Sequence, residues 1–215
     1  MAIQVEVWGE YACFTRPEMK TERVSYDVMT PSAARGLLES IYWHPGLKYH
    51  IDRIYLLSPI QFTNIRRNEV RSTLLASAAL SAAKGGTPPV LYTSQDIQQR
   101  AAMVLQNVHY VIECHFTMTD KAAPGDNPGK FQDILRRRLS KGQCYHQPCF
   151  GCREFPANFR EWPGGDIPAL EEATQDLGFM LYDLDYSDPA NIRSQFFRAK
   201  LVNGVMDCRD VEVFT

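Results

Sequence analysis

Apolar side chains recur at helical spacing within residues 30–45, which is the most clearly delimited stretch of the chain. The stripe that they form consists of Leu37, Leu38 and Ile41. Thr30 is a suitable N-cap residue, because its hydroxyl can accept a hydrogen bond from an otherwise unpaired amide, and Pro31 fits the first helical position. Pro45 disfavours helical geometry in the residue before it. The pattern therefore predicts one core-facing helix that closes with Tyr42.

Two residues stand out within this helix. A glycine inside a helix costs about 1 kcal/mol relative to alanine, so we expect another element to pack tightly against Gly36. Arg35 precedes Tyr42 by two turns and lies close to the same helix face. A tyrosine that closes a buried helix beside an arginine is a candidate site for chemistry. The alternative is an amphipathic core residue with its hydroxyl at the surface.

Alternation of apolar and polar residues predicts strands on both sides of this helix. In the first part of the chain, the predicted strands are residues 3–14, 49–60, 60–71, 100–105, 109–118 and 149–155. A second helix is predicted over residues 130–141, since Phe131, Leu135 and Leu139 are one turn apart. Residues 74–89 are rich in alanine, serine and glycine. We interpret them as a mobile or partner-dependent insertion with a short helix near its start.

The chain after residue 170 is predicted to be all β-structure. Its strands are predicted over residues 178–185, 195–202 and 205–214. Asn203-Gly204, between the last two, is the strongest hairpin signal in the sequence. Residues 158–170 contain Trp-Pro-Gly-Gly and are interpreted as a linker, so a domain boundary is expected at its start.

The order of these elements predicts an α+β fold. Residues 1–158 are predicted to form a ferredoxin-like βαββαβ domain with one inserted hairpin, which is the RRM-like plan of many RNA-binding modules. Residues 159–215 are predicted to form a linker and a small C-terminal antiparallel β-sheet. The fold by itself does not establish an activity.

Composition and charge narrow the classes of protein that this chain can belong to. The 215 residues carry a formal net charge of −2, which argues against a protein that coats nucleic acid through global positive charge, although it allows a local basic patch. Hydrophobic residues make up 45%, enough for a core without stabilising cross-links. No apolar run approaches the roughly 20 residues of a membrane helix, and no signal peptide is recognised. A cytoplasmic location with six reduced cysteines is therefore expected.

Basic residues mark candidate phosphate contacts. Lys130 begins the second predicted helix behind a glycine-containing loop, where unpaired amides and a partial positive charge suit an anion. The arginines predicted to make such contacts are Arg35, Arg66, Arg67, Arg136 and Arg137. The alternative for each basic cluster is a solvated, charged face of a helix or strand end.

Four side chains that can bind metal ions lie close together in the sequence: Cys144, His146, Cys149 and Cys152. The last two fall in a predicted strand, where positions three apart point to opposite faces, whereas a tetrahedral zinc site would need a turn. Asp183 and Asp185 share a strand face and are interpreted as surface residues in preference to a cation site. Because nucleotide-binding and hydrolase motifs are also absent from the sequence, no metal and no cofactor is expected.

A family resemblance connects these landmarks. The residues that carry it lie at positions 8–17, 25–26, 31–45, 59–70, 108–110, 134–139 and 150–155. They include Ser40-Ile41-Tyr42-Trp43 after the helix stripe and the Phe-Gly-Cys-Arg-Glu-Phe run at 150–155. In this order they resemble the Cas-five family of CRISPR-associated RAMP proteins in its type I-C (Dvulg, subtype d) form, over most of the chain.

The resemblance implies a metal-independent endoribonuclease. Members of this family cleave precursor CRISPR RNA within each repeat, at the base of a hairpin, by attack of a ribose 2′-hydroxyl on the adjacent phosphate. They then stay on the 5′ handle of the RNA as a subunit of the interference complex, beside its backbone and large subunits. The alternatives are a subunit that holds the RNA handle without turnover and, third, a protein that binds duplex DNA through its basic clusters.

The resemblance also implies a catalytic group, which is a tyrosine in the first helix followed by a lysine-histidine pair. The tyrosine corresponds to Tyr42 and the lysine to Lys130, whereas the histidine position holds Phe131. His44, two residues after Tyr42, is the candidate replacement. The other candidates are His109 and His146. A tyrosine has an ordinary pKa of about 10, so Tyr42 is a poor base unless neighbouring cations lower its pKa.

Overall fold

The computed structural model describes residues 2–19, 21–188 and 190–215. These residues form a mixed α/β structure with antiparallel sheets. The strands are β1 (Ile3–Ala12), β2 (Leu47–Leu56), β3 (Phe62–Val70), β4 (Ile97–Met118), β5 (Asn158–Glu161), β6 (Gln175–Asp185), β7 (Arg193–Leu201), β8 (Val205–Asp207) and β9 (Val213–Phe214). The helices are α1 (Pro31–Ile41), α2 (Ala76–Ala83) and α3 (Pro128–Lys141), with one 3₁₀ turn at Thr93–Gln95.

The predicted first helix is confirmed as α1, including its cap. The Thr30 hydroxyl accepts a hydrogen bond from the Ala33 amide at 3.2 Å. The helix ends at Ile41, because Tyr42 adopts an extended backbone with φ −147° and ψ 117°. The tight packing predicted at Gly36 is wrong. Beyond its chain neighbours and the backbone of its own helix, a Cβ atom there would meet no heavy atom of the described residues within 4 Å.

The main sheet is antiparallel and has the strand order β5-β1-β4-β2-β8, while β3 pairs with the first part of β4. Successive side chains of a strand point to opposite faces. Val5 and Val7 of β1 therefore lie in the core that also contains Leu38 of α1 and Phe131 of α3. The opposite face of the sheet, here termed the polar face, carries Gln4, Glu6, Trp8, His109 and Glu113.

The strands β6, β7 and β9 form a second sheet. The predicted hairpin turn is confirmed, because Asn203 (φ 50°) and Gly204 (φ 73°) both have the positive φ that a type I′ turn requires. The single strand predicted over 205–214 is wrong. The segment β8 pairs with β2, where the Cys208 amide donates to the Asp52 carbonyl at 2.9 Å, and only β9 pairs with β7.

The two strands predicted over 100–105 and 109–118 are one continuous strand, β4. Asn107 between them has φ 53°, a left-handed conformation that asparagine tolerates better than most residues. Pairing with β1 continues on both sides of it, with Gly9 opposite Val108 and Tyr11 opposite Gln106. The Gln-Asn pair therefore ends neither the strand nor its pairing with β1.

The strand predicted over 149–155 is a turn. The Phe150 amide donates to the Phe155 carbonyl at 2.9 Å. Gly151 has φ 80° and packs so closely on Cys13 that a Cβ atom there would lie 2.0 Å from its carbonyl oxygen. The strand that completes the main sheet is β5 instead, which pairs with β1 and occupies the first residues of the predicted 158–170 linker. The boundary expected at 158 therefore falls inside this sheet.

We term the hairpin of β3 and the first half of β4, together with the residues between them, the arm (residues 62–105). Its short helix α2 forms within the predicted insertion. None of the α2 residues is buried. The side chains of Leu75, Leu80 and Tyr92 are exposed.

Two further observations bear on the expectations from composition. The six cysteines are free thiols. Across the described ranges, no helix has the length and apolar character required to cross a membrane.

We predict that Gly36→Ala stabilises the protein by about 0.5–1 kcal/mol, because alanine has the better helix propensity and the site has room for its methyl group. The expected rise in melting temperature is about 1–4 °C by calorimetry. Ala33→Gly in the same helix is the control and should lower the melting temperature. A lower melting temperature for Gly36→Ala would show that the space is not open.

Candidate active site

Tyr42 lies where α1 ends, against the start of α3. Its residue is 6% exposed. Its ring centroid is 6.2 Å from that of Phe131, and the guanidinium of Arg138 lies 5.1 Å from the Tyr42 ring centroid. Arg138 also donates from Nη1 to the Ile41 carbonyl at 2.5 Å. One residue of α3, Arg138, thus both covers the ring of Tyr42 and binds the last turn of α1.

Lys130 lies in the first turn of α3. The backbone amide of Lys130 donates to the side-chain oxygen of Asn127, the N-cap residue, at 2.9 Å. Pro128 has no amide hydrogen, so the helix start offers fewer unpaired amides than the sequence predicts. The positive charge available to an anion therefore comes mainly from the Lys130 side chain, which is exposed.

Asp126 holds the Lys130 side chain in place. Its carboxylate is 3% exposed and accepts a hydrogen bond from Lys130 Nζ at 2.7 Å. The second carboxylate oxygen accepts the Ala123 amide at 2.8 Å. The hydrogen bond from Lys130 lowers the pKa of Asp126, and reciprocally the bond to Asp126 raises the pKa of Lys130. Lys130 is therefore an ammonium with two donors still available, since an ammonium has three.

His44 belongs to the same cluster. Its Nε2 lies 3.8 Å from the Asp126 carboxylate, and its ring centroid is 4.9 Å from that of Phe131. The Gly46 amide donates to His44 Nδ1 at 3.1 Å. Because Nδ1 accepts this hydrogen bond, neutral His44 carries its proton on Nε2. The N–H group with which His44 can donate a hydrogen bond, Nε2–H, therefore lies on the side of the ring nearest Asp126.

Phe131 joins these groups from inside the core. It is 0% exposed, and its ring contacts those of Tyr42, His44 and Phe116. The predicted stripe of Phe131, Leu135 and Leu139 is confirmed as the buried side of α3. The position that the resemblance assigns to a histidine is therefore a packing position in this chain.

Burial governs the protonation of Tyr42. Desolvation raises the pKa of the Tyr42 phenol, and this effect outweighs the lowering by Arg138 and Lys130. The same electrostatic interaction between Tyr42 and Lys130 contributes to the raised pKa of Lys130. Both groups are therefore protonated at neutral pH, and the cations do not convert Tyr42 into a base.

The structure brings Tyr42, Lys130 and His44 together but distributes the predicted RNA-contact arginines over three regions. Arg35 forms ion pairs with Asp183 of β6 and with Glu39, at 2.6 and 2.7 Å. Arg66 and Arg67 lie on the arm, where Arg66 is exposed and Arg67 pairs with Glu154. On the outer side of α3, Arg136 pairs with Glu161 at 3.3 Å and Arg137 is exposed.

The other candidate histidines lie elsewhere. His109 projects from the polar face of the sheet, where its Nε2 is 2.8 Å from Glu6, whereas the neighbouring Tyr110 points into the core beneath the helices. The His146 ring lies 4.4 Å from that of Tyr145. Of the cysteines near it, Cys149 and Cys152 lie within the 149–155 turn, and within the described ranges no three such ligands converge on a metal site.

Sequence reasoning missed two residues of this cluster, Asp126 and Arg138. Both had a local signal. Asp126 precedes Lys130 by four residues at a helix start, a spacing that favours an ion pair, and Arg138 is two turns after Phe131. Neither spacing shows by itself that α1 packs against them.

Comparisons with known proteins place the chain among CRISPR-associated proteins. The model of the CRISPR-associated protein family Cas_Cas5d matches residues 2–209. The chain is 49% identical over 212 residues to a "CRISPR pre-crRNA endoribonuclease Cas5d" of Mannheimia succiniciproducens, covering 95% of this chain and 93% of that protein. It is 42% identical over 197 residues to the protein of the same name from Thermus thermophilus, covering 91% of this chain and 79% of that protein.

Solved structures support the fold. A crystal structure of a CRISPR-associated protein superposes with a TM-score of 0.71 at 20% identity, covering all of this chain and 97% of the other. A functionally uncharacterised protein from Streptococcus mutans gives 0.70, with the same identity and coverage. A chain of a CRISPR RNA-guided surveillance complex gives 0.52 at 12% identity, covering all of this chain and 89% of that one. On its family-model match and its sequence identity to these relatives, the chain belongs to the Cas5d family of CRISPR-associated proteins.

Proposed function

We propose that this chain is a metal-independent endoribonuclease that cleaves precursor CRISPR RNA within its repeats and then stays on the 5′ handle. The observation that carries the proposal is the convergence of Tyr42 and Lys130, with His44 and Asp126, where α1 ends and α3 begins. The printed names of the two Cas5d relatives support the reaction and the substrate class. The likeness to a chain of a surveillance complex supports a role in such an assembly.

The chemistry is a transesterification within the RNA strand. The 2′-oxygen attacks the adjacent phosphorus and loses its proton, the bond from phosphorus to the 5′-oxygen breaks, and that oxygen takes up a proton. The products are a 2′,3′-cyclic phosphate and a free 5′-hydroxyl. Lys130 Nζ, fixed by Asp126, supplies positive charge to the phosphoryl oxygens as their negative charge grows.

Tyr42 and His44 act as hydrogen-bond donors in this reaction. The raised pKa of Tyr42 keeps its phenol protonated, so it positions the ribose and phosphate by donating a hydrogen bond. His44, neutral with its hydrogen on Nε2, donates a hydrogen bond to the departing 5′-oxygen, which takes its proton from water. The 2′-hydroxyl proton leaves to water, which makes this a slower reaction than one with a dedicated base.

A second function is favoured by one observation, which is the fully buried Phe131 at the position of the family's histidine. In that case the chain holds the RNA handle and docks other subunits without turnover. The basic arm and α3 side chains would then serve only in binding, to RNA or to duplex DNA.

The finer fold description belongs to the same proposal. We assign the strands β1, β2, β4 and β5 with the helices α1 and α3 to a ferredoxin-like unit, which the strand order β5-β1-β4-β2 supports. The division into an N-terminal domain and a C-terminal sheet then runs after Glu161, and β8 returns to the first unit. A cytoplasmic location follows from the proposed substrate, which is a primary transcript.

The proposed reaction needs the 2′-hydroxyl of the RNA and no metal ion. The protein should cut its repeat RNA once per repeat in the presence of EDTA, as seen on denaturing gels of labelled RNA. Replacing the 2′-hydroxyl before the break by hydrogen should abolish cutting, because the nucleophile is gone. Loss of cutting on chelation, or cutting of the 2′-deoxy RNA, would contradict the mechanism. Tight binding with no product over hours would establish the second function.

Within this test, Tyr42→Phe and Lys130→Ala should lower the single-turnover rate by about 10-fold and about 100-fold respectively. Their dissociation constants for the RNA should change less than their rates. His44→Ala should lower the rate by about 10-fold or more. Lys141→Ala, which removes a cation at the opposite end of α3, is the matched control.

Asp126→Asn should lower the pKa of Lys130 towards its ordinary value, because the carboxylate that raises it is removed. Carbon-detected NMR of labelled lysine side chains measures this pKa. The cleavage rate should fall about 10-fold at unchanged RNA affinity, since Lys130 is no longer positioned. Asp133→Asn, on the same helix, is the control for loss of a carboxylate. An unchanged pKa of Lys130 would sink the positioning role.

We propose that the exposed leucines of the arm, Leu75 and Leu80, contact another subunit of the interference complex. Because burying one leucine contributes roughly 1.5–3 kcal/mol, Leu75→Ser with Leu80→Ser should weaken association with the co-expressed backbone and large subunits at least about tenfold. Quantitative co-purification measures this. The pair Tyr186→Ser and Ile192→Ser changes two similarly exposed side chains outside the arm. Equal recovery of partners by both double variants would contradict the assignment.

A further inference from the structure

The polar face of the main sheet contains a cleft of about 480 Å³ that the proposed cleavage chemistry does not use. Its floor is formed by the neighbouring strands β5, β1 and β4, with Trp8 between His109 and Asn158. The cleft is distinct from the candidate active site, because these side chains point away from the core that Tyr42 and Phe131 share.

Aromatic and planar groups dominate the cleft. The guanidinium of Arg160 lies 5.4 Å from the Trp8 ring centroid, and the His109 ring lies edge-on to Trp8 at 6.3 Å. Gly9, next to Trp8, has no side chain. A Cβ atom there would point to the core side of the sheet and lie 2.8 Å from the Phe150 ring. The flat surfaces of Trp8 and Arg160 suit a flat ligand.

A buried carboxylate fixes these groups. Glu6, whose side chain is 4% exposed, accepts hydrogen bonds from Arg160 Nε at 2.5 Å and from His109 Nε2 at 2.8 Å. Burial alone would raise the pKa of Glu6, but the hydrogen bonds from Arg160 and His109 outweigh it and lower this pKa. Because Nε2 donates to Glu6, neutral His109 has Nδ1 as an acceptor on its other side.

The charges of the cleft select among ligands. Among the described residues that line it, Arg160 is the one arginine or lysine, and it already pairs with Glu6. Glu10 adds a negative charge at the rim. A phosphate group or an acidic peptide therefore finds little attraction here. A neutral heteroaromatic base, with hydrogen-bond donors and acceptors at its edges, matches the acceptors of Glu10 and His109 and the amides of Asn107 and Asn158.

We propose that this cleft binds one unpaired nucleotide of the RNA, with its base stacked on Trp8 and Arg160. The inference rests on the proposed function for its ligand being RNA, but it does not require cleavage. Stacking of unpaired bases on aromatic side chains of an exposed sheet face is a general mode of single-stranded RNA recognition. The cleft gives this chain a binding site on the opposite side of the sheet from its candidate active site.

The test is a cycle between protein and RNA. Repeat RNA made uncleavable by a 2′-deoxy substitution at the break is prepared with a single abasic residue at each unpaired position in turn. Fluorescence anisotropy gives the dissociation constant of each RNA for the wild type and for Trp8→Ala. For the wild type, we expect one position at which loss of the base weakens binding about 5- to 100-fold. For Trp8→Ala, which should bind the intact RNA that much more weakly, the same abasic RNA should bind no worse than intact RNA.

Two further variants keep the result interpretable. Trp8→Phe retains a ring and should restore most of the lost affinity, whereas misfolding of Trp8→Ala would be seen as a lowered melting temperature and would not be rescued selectively at one nucleotide. Tyr186→Ala removes an exposed aromatic ring outside the cleft and should bind every RNA like the wild type. Equal sensitivity of Trp8→Ala and wild type to every abasic position overturns the proposal. Because the assay measures binding to an RNA that cannot be cleaved, it tests this proposal even if the protein proves to have no cleavage activity.

Discussion

The packing of the end of α1 on the start of α3 is the contact on which the candidate site depends. Phe131 is fully buried between Tyr42 and His44, and Arg138 binds the carbonyl of Ile41. Burial of one phenylalanine contributes roughly 1.5–3 kcal/mol, which is enough to hold the two helices in one arrangement. The phenol of Tyr42 directly follows α1 and the ammonium of Lys130 belongs to α3, and they share a site only through this contact.

The balance between burial and charge decides what that site can do. Arg138 and Lys130 both favour the ionised phenol, yet desolvation outweighs them and the pKa of Tyr42 rises. Each unit of pKa corresponds to about 1.36 kcal/mol of free energy. For the phenolate of Tyr42, the free-energy cost of burial exceeds the stabilisation by the two neighbouring cations. The carboxylate of Asp126 acts in the opposite direction on Lys130 by favouring its charged form. The site is therefore a set of positioned hydrogen donors and one fixed positive charge.

The sequence predicted the elements whose signals are local and failed where tertiary contacts decide. Thr30, Pro31 and the Asn203-Gly204 turn act on their own neighbours, and each was confirmed. The turn around Gly151 escaped prediction because it depends on the approach of Cys13 from a distant strand. In the site, Tyr42, Lys130 and His44 were found through a resemblance and position in the chain. Their convergence depends on the packing of α1 against α3, which no local signal shows. Asp126 was missed because a loop carboxylate acquires its role only from what surrounds it.

The same reasoning explains why a phenylalanine at position 131 is compatible with the proposed reaction. Position 131 belongs to the buried stripe of α3, and a polar ring buried there without a partner would cost roughly 1–3 kcal/mol. Phe131 avoids that cost and packs the helices together. His44 lies against the same ring from the loop after α1, where it is half-buried and its Nε2 faces Asp126. Packing and hydrogen-bond donation, which one residue would have to combine, are thus divided between two neighbours, and the donor is the one that solvent can reach.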